Sequence, residues 1–416
     1  MATLRAQPTH SRLLGGSLIM LMGTGLVSAL NLGFNVAVAR MLGPGAFGQA
    51  AAAVTLLMLV SAITLSFQLV GAKFIAKNES AGARAAVYSA LLRRAWKVGL
   101  ILGAGLVFAS GAIASYLNLP SASMVVLLAF GIAFYVPLGA KRGGLQGVCS
   151  FGLLSWNFIL EAGMKFAVAL LLVSKGFGIN GAVAAISVSV VLAYFVPAVP
   201  KELRSDPEAG TPASFREGIQ AIVFFVGQVV INNIDILLVK HFFPSDMAGL
   251  YAAVALVGRV VYLASWSVVS AMFPISAGSN QRENNFTILV FPLLLVLGIS
   301  LGAILLLGLF PDTILQFVFG FRAVGGLDSL MSLYAAATGA YALSVVLIAF
   351  EMSRRIANTG WLQLLFSGLI VVGISLFHNT LRQVVEVQLV LMVIMLAIVS
   401  TPFFRRFPAT SLQEAA

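Results

Sequence analysis

The chain predicts an all-α, polytopic membrane protein: about 12 transmembrane helices in two six-helix bundles, related by a pseudo-two-fold axis along the membrane normal. Three observations carry this expectation. Of 416 residues, 60% are hydrophobic and only 9% are charged. Soluble domains run near half apolar and about a quarter charged. Twelve apolar stretches fill nearly the whole sequence and approach or exceed the roughly 20 residues that a spanning helix needs. Finally, a local pattern near the start recurs 200 residues later.

In order, the predicted spans are Leu13–Ala39, Gly48–Gly71, Ala95–Leu117, Ser123–Ala140, Phe151–Val173, Asn180–Val199, Gly218–Val239, Met247–Phe273, Phe286–Leu309, Leu327–Phe350, Thr359–Phe377 and Val387–Phe404. The first contains Ala37-Val38-Ala39, which resembles a signal-peptidase site. Its apolar run is much longer than the 7–15 residues of a signal core, so it reads as a retained helix. The fourth is short and carries Pro137.

Between spans two and three, Lys73–Arg94 mixes apolar residues with cations and predicts an interfacial helix with snorkelling Lys and Arg. Residues Pro200–Glu217 are polar and proline-rich, the only true linker in the sequence. Residues Pro311–Gly326 predict a short surface helix and turn. The domains expected are therefore a bundle over 1–200, a cytoplasmic linker over 201–217 and a second bundle over 218–416. The recurring pattern supports two halves. Asn35, Arg40 and Pro44 align with Asp235, Lys240 and Pro244, and after one inserted residue Gly48 aligns with Gly249. An even number of helices per half makes this a parallel repeat.

Charge sets the expected orientation. With the N-terminus in the cytoplasm, 18 Lys and Arg fall on the cytoplasmic side and 5 on the outer side, with Lys165 and Arg259 inside the membrane. That asymmetry predicts both termini in the cytoplasm. The net charge of +11 then reflects topology and is no argument for nucleic acid. Cytoplasmic cations are expected to meet anionic lipid headgroups. Cys149 is the lone cysteine, so it forms no intrachain disulfide; it reads as a small filler near a helix start.

Ionisable groups within spans are expensive and should face a partner or a wet cavity. Glu161 and Lys165 stand at i,i+4 spacing. Either they pair with each other, or Lys165 contacts an anionic group in a polar lumen. Asp235 lies beside Asn232 and Asn233, and the first span carries Asn31 and Asn35 at the same i,i+4 spacing. These stripes either bond between helices or line a cavity, where amides suit sugar hydroxyls because each offers donors and an acceptor. Asp235 is also a candidate site for a coupling H+ or Na+. Arg259 either bridges to Asp235 or forks onto phosphate oxygens. Arg40 and Lys240 sit at the outer ends of the first and seventh spans, at the mouth of such a cavity or snorkelling to headgroups.

No Walker A, HExxH or GxSxG motif occurs, and the three histidines are far apart in sequence. No enzymatic activity, catalytic residue, metal site or cofactor is expected. The prolines inside spans and the 40 glycines favour bends and close helix contacts.

The segment Val38-Ala39-Arg40-Met41-Leu42-Gly43-Pro44-Gly45-Ala46-Phe47-Gly48 resembles the "ARxLGPxxFG" turn of bacterial polysaccharide transporters. Gly143-Gly144-Leu145-Gln146-Gly147 with Phe151-Gly152 resembles their "RGxLQGxxxF" pattern before helix five. Asn233-Ile234-Asp235-Ile236-Leu237-Leu238 resembles their "NxDxLLV". Gly249-Leu250-Tyr251, Gly258-Arg259 and Phe273-Pro274 resemble their helix eight. These are the O-antigen and exopolysaccharide flippases of the multidrug/oligosaccharidyl-lipid/polysaccharide exporter superfamily.

The resemblance implies a V-shaped pair of six-helix bundles around a central cavity, in a bacterial cytoplasmic membrane. It implies translocation of a polyprenyl-diphosphate-linked oligosaccharide by alternating access, with a polysaccharide polymerase and chain-length proteins as partners. The intramembrane charge sums to zero here, which departs from the cationic lumen pictured for the family. Two other functions are expected to compete: a cation-coupled multidrug exporter of the same superfamily, and a membrane-embedded polymerase or ligase using Asp312, Asp328 or Glu386.

Overall fold

Glycine and proline decide where this largely apolar chain turns. The computed structural model describes residues 9–208, 211–213, 215–278, 285–321, 328–354 and 361–406, and every regular element among them is helical. The chain separates into two compact units, Met1–Val226 and Gly227–Ala416.

In the first unit, α1 (Thr9–Lys77) is two limbs, 9–42 and 44–77, joined at Gly43 with φ 80 and ψ 176. That backbone conformation is essentially restricted to glycine. Pro44 opens the second limb, where a missing N–H goes unnoticed. Val38 and Ala39 are buried within the first limb. Next come α2 (Ala81–Phe108) and α3 (Ser110–Tyr116), two parts of a path bent by 64°. The Ser80 hydroxyl caps α2 by accepting the Ala83 N–H at 3.1 Å.

The structure thus corrects the interfacial helix expected at Lys73–Arg94. Those residues form the end of α1 and the first half of α2, and their apolar members face each other. Val70, Phe74, Ile75, Val87, Tyr88, Leu91 and Leu203 make one buried cluster. Burial across a helical hairpin removes the apolar face that a surface helix would give to lipid.

Helix α4 (Ser123–Gly147) is the centre of the unit, packed on α1, α2 and α6. It runs past the predicted end at Ala140 and carries Lys141 and Arg142 into the interior. Glycines permit this: a Cβ at Gly143 would lie 2.6 Å from the Gln68 carbonyl oxygen. Cys149 follows in the turn at φ 56, near the start of the next helix as expected, but it is exposed and fills no core. After α5 (Phe151–Leu172), a π turn at Val173–Phe177 with Gly176 at φ 88 leads to α6 (Gly178–Phe195).

The proline-rich segment that follows is docked onto the α1–α2 turn. Asn78 Oδ1 accepts the Thr211 N–H at 2.9 Å, and Ser80 donates to Glu208 at 2.7 Å. Residues 209, 210 and 214 of that segment lie outside the described residues.

Helix α7 (Phe215–Phe242) crosses from the first unit into the second. There follow α8 (Ser245–Gly258), α9 (Val260–Gly278), α10 (Asn285–Leu309), α11 (Pro311–Ile314), α12 (Asp328–Arg354), α13 (Leu362–Leu376) and α14 (Leu381–Arg406). The surface helix expected after Pro311 is there, as α11 and a π turn ending at Gly320; residues 322–326 of that prediction lie outside the described residues. Helix α12 packs against α8, α9, α10 and α14.

Among the described residues, eight helical runs are long and apolar enough to cross a membrane. Two of them, the α1 limbs and α5–α6, are each double, bent at Gly43 and Gly176. Adding the bent α2–α3 pair and the shorter α13 gives the twelve spans expected. The apolar windows of α4 and α12 are 72% and 78% buried, those of α10 and α14 only 22% and 33%. The Leu and Phe side chains exposed on α10, and the Val and Ile on α14, would be anomalous in water; in a bilayer they meet acyl chains. This is a multi-pass membrane protein.

Candidate functional site

Each unit gathers polar side chains inside its apolar helices, and each group is organised around one carboxylate. In the first unit that carboxylate is Glu161 on α5. Its partner is Arg142 of α4, at 2.5 Å, not Lys165 one turn along its own helix. Arg142 also donates Nε–H to Asn157 Oδ1 at 2.7 Å, and its guanidinium lies 4.0 Å from the Phe158 ring centroid. Asn157 in turn donates to the Ala193 carbonyl at 2.7 Å. A planar fork satisfied on several sides is what allows an arginine to sit this deep. Beside it, Lys141 donates to the Tyr194 and Pro197 carbonyls at 2.5 and 2.6 Å, completing the C-terminal end of α6.

Because Arg142 occupies Glu161, Lys165 makes no ion pair among the described residues. Its ammonium donates to Asn31 Oδ1 and lies 5.1 Å from the Phe34 ring centroid. Asn35 donates to the Asn31 carbonyl at 2.8 Å, which ties its amide to its own helix. Asn31, Asn35 and Lys165 are therefore brought together, on the first limb of α1 and on α5, and all three retain partial exposure. Arg40 lies further along α1 and is exposed.

In the second unit the carboxylate is Asp235 on α7, 1% exposed. Oδ1 accepts from Arg259 Nη2 at 2.8 Å. Oδ2 accepts from the Tyr251 and Tyr334 hydroxyls at 2.9 and 2.8 Å. Arg259 stands at the junction of α8 and α9, where it reaches Tyr334 Oη at 3.1 Å and Asn233 Oδ1 at 3.3 Å. Gln388 of α14 donates to Tyr251 Oη at 2.9 Å. Gly258 allows the approach of α12: any Cβ there would collide with the Tyr334 ring.

Asn232 and Arg259 border a gap of about 20 Å³, lined also by Tyr334, Thr338, Tyr341 and Gln388. That is room for about one water-sized group. Asn232 and Asn233 each bond back to a carbonyl four residues earlier, at 2.8 Å. Lys240 is fully enclosed and donates to Ser245 Oγ at 2.9 Å.

Sequence reasoning gave no site role to Arg142, Asn157, Tyr251, Tyr334 and Gln388, although Tyr251 stands in a motif of the resemblance. Tyr251 and Gln388 sit within predicted apolar spans, as Tyr334 does, and a polar residue in a span is the one local signal available. Arg142 gave the opposite signal, since Lys141-Arg142 after an apolar run reads as a loop. Among the acids proposed for a polymerase, Glu386 pairs with Arg382 at 2.8 Å on the surface, and the side chain of Asp328 lies outside the described residues. No three His, Cys, Asp or Glu side chains gather to hold a metal among the described residues.

No family model matches the chain, and no curated protein matches it. Solved structures share its fold. An inward-facing multidrug resistance MATE family transporter of the MOP superfamily superposes with a TM-score of 0.76 at 13% identity, over 94% of this chain and 96% of that one. The lipid II flippase MurJ, in an inward closed conformation, superposes with 0.73 at 14% identity, over 94% and 88%. An outward-facing multidrug resistance MATE family transporter gives 0.60 at 16% identity, over 97% and 96%.

Proposed function

We propose that this protein is an alternating-access transporter, not an enzyme, and that it flips a polyprenyl-diphosphate-linked oligosaccharide for surface polysaccharide assembly. The observation that carries this reading is Lys165. It makes no ion pair with an acid among the described residues, since Arg142 holds Glu161, while an amide, Asn31, holds it in place. A cation in this setting favours an anionic ligand such as a diphosphate or an acidic sugar. Asn31, Asn35, Asn232 and Asn233 supply the donors and acceptors that a glycan requires. The sharing of a fold with a lipid II flippase supports the same class of cargo.

Asp235 serves in this scheme as the anchor of Arg259. Its two oxygens already accept three hydrogen bonds, so it is a poor landing place for a cationic drug. Arg40, exposed on α1, stands at the outer mouth in this scheme; Lys240, expected there or at headgroups, is instead enclosed and bonded to Ser245.

A second reading, a multidrug exporter coupled to H+ or Na+, draws equal support from the fold shared with MATE transporters. A deletion strain separates the two. The flippase reading expects loss of surface glycan and build-up of lipid-linked units, with Arg259→Ala failing to restore either. Normal glycan together with sensitivity to cationic dyes would favour export of drugs instead.

A further inference from the structure

Within the first unit, away from the buried ionic clusters, a cavity of about 630 Å³ opens between α1, α2 and the start of α7. Its walls are nearly all apolar. Ile63, Phe67 and Val70 repeat along one face of α1, Leu91 and Val98 along one face of α2, and Ile219 and Ile222 along one face of α7. Two cations complete the lining, Arg94 and Lys97, one turn apart on α2. Both are exposed, and neither makes a hydrogen bond or ion pair to another described residue. One turn beyond Val70, Lys73 pairs with Glu217 at 2.6 Å and fastens the first turn of α7 to α1.

A space of this size is foreign to a well-packed interior, where voids larger than a water are few. It lies within the range of pockets that take small molecules, about 300–1,000 Å³. Water gains little from such walls. In a bilayer the abundant molecule that is apolar along one part and anionic at its end is an anionic phospholipid. Basic pockets between spanning helices are suited to phospholipid headgroups, and an arginine forks onto two phosphate oxygens.

We infer that this cavity binds one anionic glycerophospholipid, an acyl chain lying between Val70, Leu91 and Ile219 and the phosphate on Arg94 and Lys97. The site shares no residue with the groups around Lys165 and Arg259, and its occupancy does not depend on what the protein transports. A lipid seated there would wedge the start of α7 against α1 and α2, at the point where the chain leaves the first unit.

Native mass spectrometry of the full chain in detergent tests this with phosphatidylglycerol and chain-matched phosphatidylcholine. One phosphatidylglycerol should be retained in preference, and the Arg94→Gln/Lys97→Gln variant should weaken it by about 10- to 30-fold while phosphatidylcholine changes little. Ile222→Trp, which fills the cavity and keeps both cations, should lose the lipid as well. Glycerol phosphate, a head without a chain, should fail to compete. Equal retention of both lipids by the unaltered protein, unchanged preference in the double variant, retention in Ile222→Trp, or displacement by glycerol phosphate would each overturn the assignment.

Discussion

A buried carboxylate takes the cation that reaches it with the best hydrogen-bonding geometry, and for Glu161 that is Arg142 from α4. The consequence is an asymmetry between two neighbouring basic residues. Arg142→Gln would leave Glu161 without the guanidinium that bonds it, a loss of about 3–5 kcal/mol by comparison with other broken buried pairs. Thermal unfolding in detergent should show it as a large drop in midpoint. Lys165→Gln keeps a donor for Asn31 and should change stability by no more than about 1 kcal/mol; a drop as large as that of the arginine variant would place Lys165 in the scaffold. Asp235, Arg259, Glu161 and Lys165 were legible as intramembrane charges because hydropathy makes any such charge conspicuous. The Asp235–Arg259 pair was legible as one of two readings; the partner of Glu161 was not. The choice of Arg142 over Lys165 depends on which helix lies opposite, and no i,i+4 rule contains that information.

At the scale of elements, spans are legible where twenty apolar residues stand between polar ends, and their junctions are legible where glycine and proline meet. Gly43-Pro44 is such a place. Gly43→Ala must hold a Cβ at φ 80, ψ 176, a strain of order 1–3 kcal/mol. It should reduce the yield of folded protein in membranes and lower the unfolding midpoint, whereas Gly25→Ala, in open space on the same helix, should change neither. Equal behaviour of the two variants would contradict the junction geometry. Two elements misled the sequence reading for a common reason. Lys73–Arg94 and Lys141-Arg142 carry charges that hydropathy assigns to the membrane surface. In the structure the first segment buries its apolar side in a helical hairpin, and the second finds carbonyls, an amide and a carboxylate on α5 and α6. Charge count along a sequence measures the average setting of a residue, and tertiary partners change it.

Across the whole molecule, the cation asymmetry predicts that the turn between α4 and α5 faces the cytoplasm. Cys149, exposed and the lone thiol, reports on it without any engineering. A membrane-impermeant maleimide should label inside-out vesicles and leave intact spheroplasts unlabelled; the reverse pattern would invert the topology. The account's main claim, however, concerns cargo. It is tested most directly in proteoliposomes that carry a fluorescent lipid-linked oligosaccharide in both leaflets, with a membrane-impermeant glycosidase added outside. With the unaltered protein, the fraction cleaved should rise from about half to nearly all, and Lys165→Gln should return it to the protein-free level. Cleavage that stops at half with well-folded protein present, or that proceeds equally well without Lys165, would contradict the assignment.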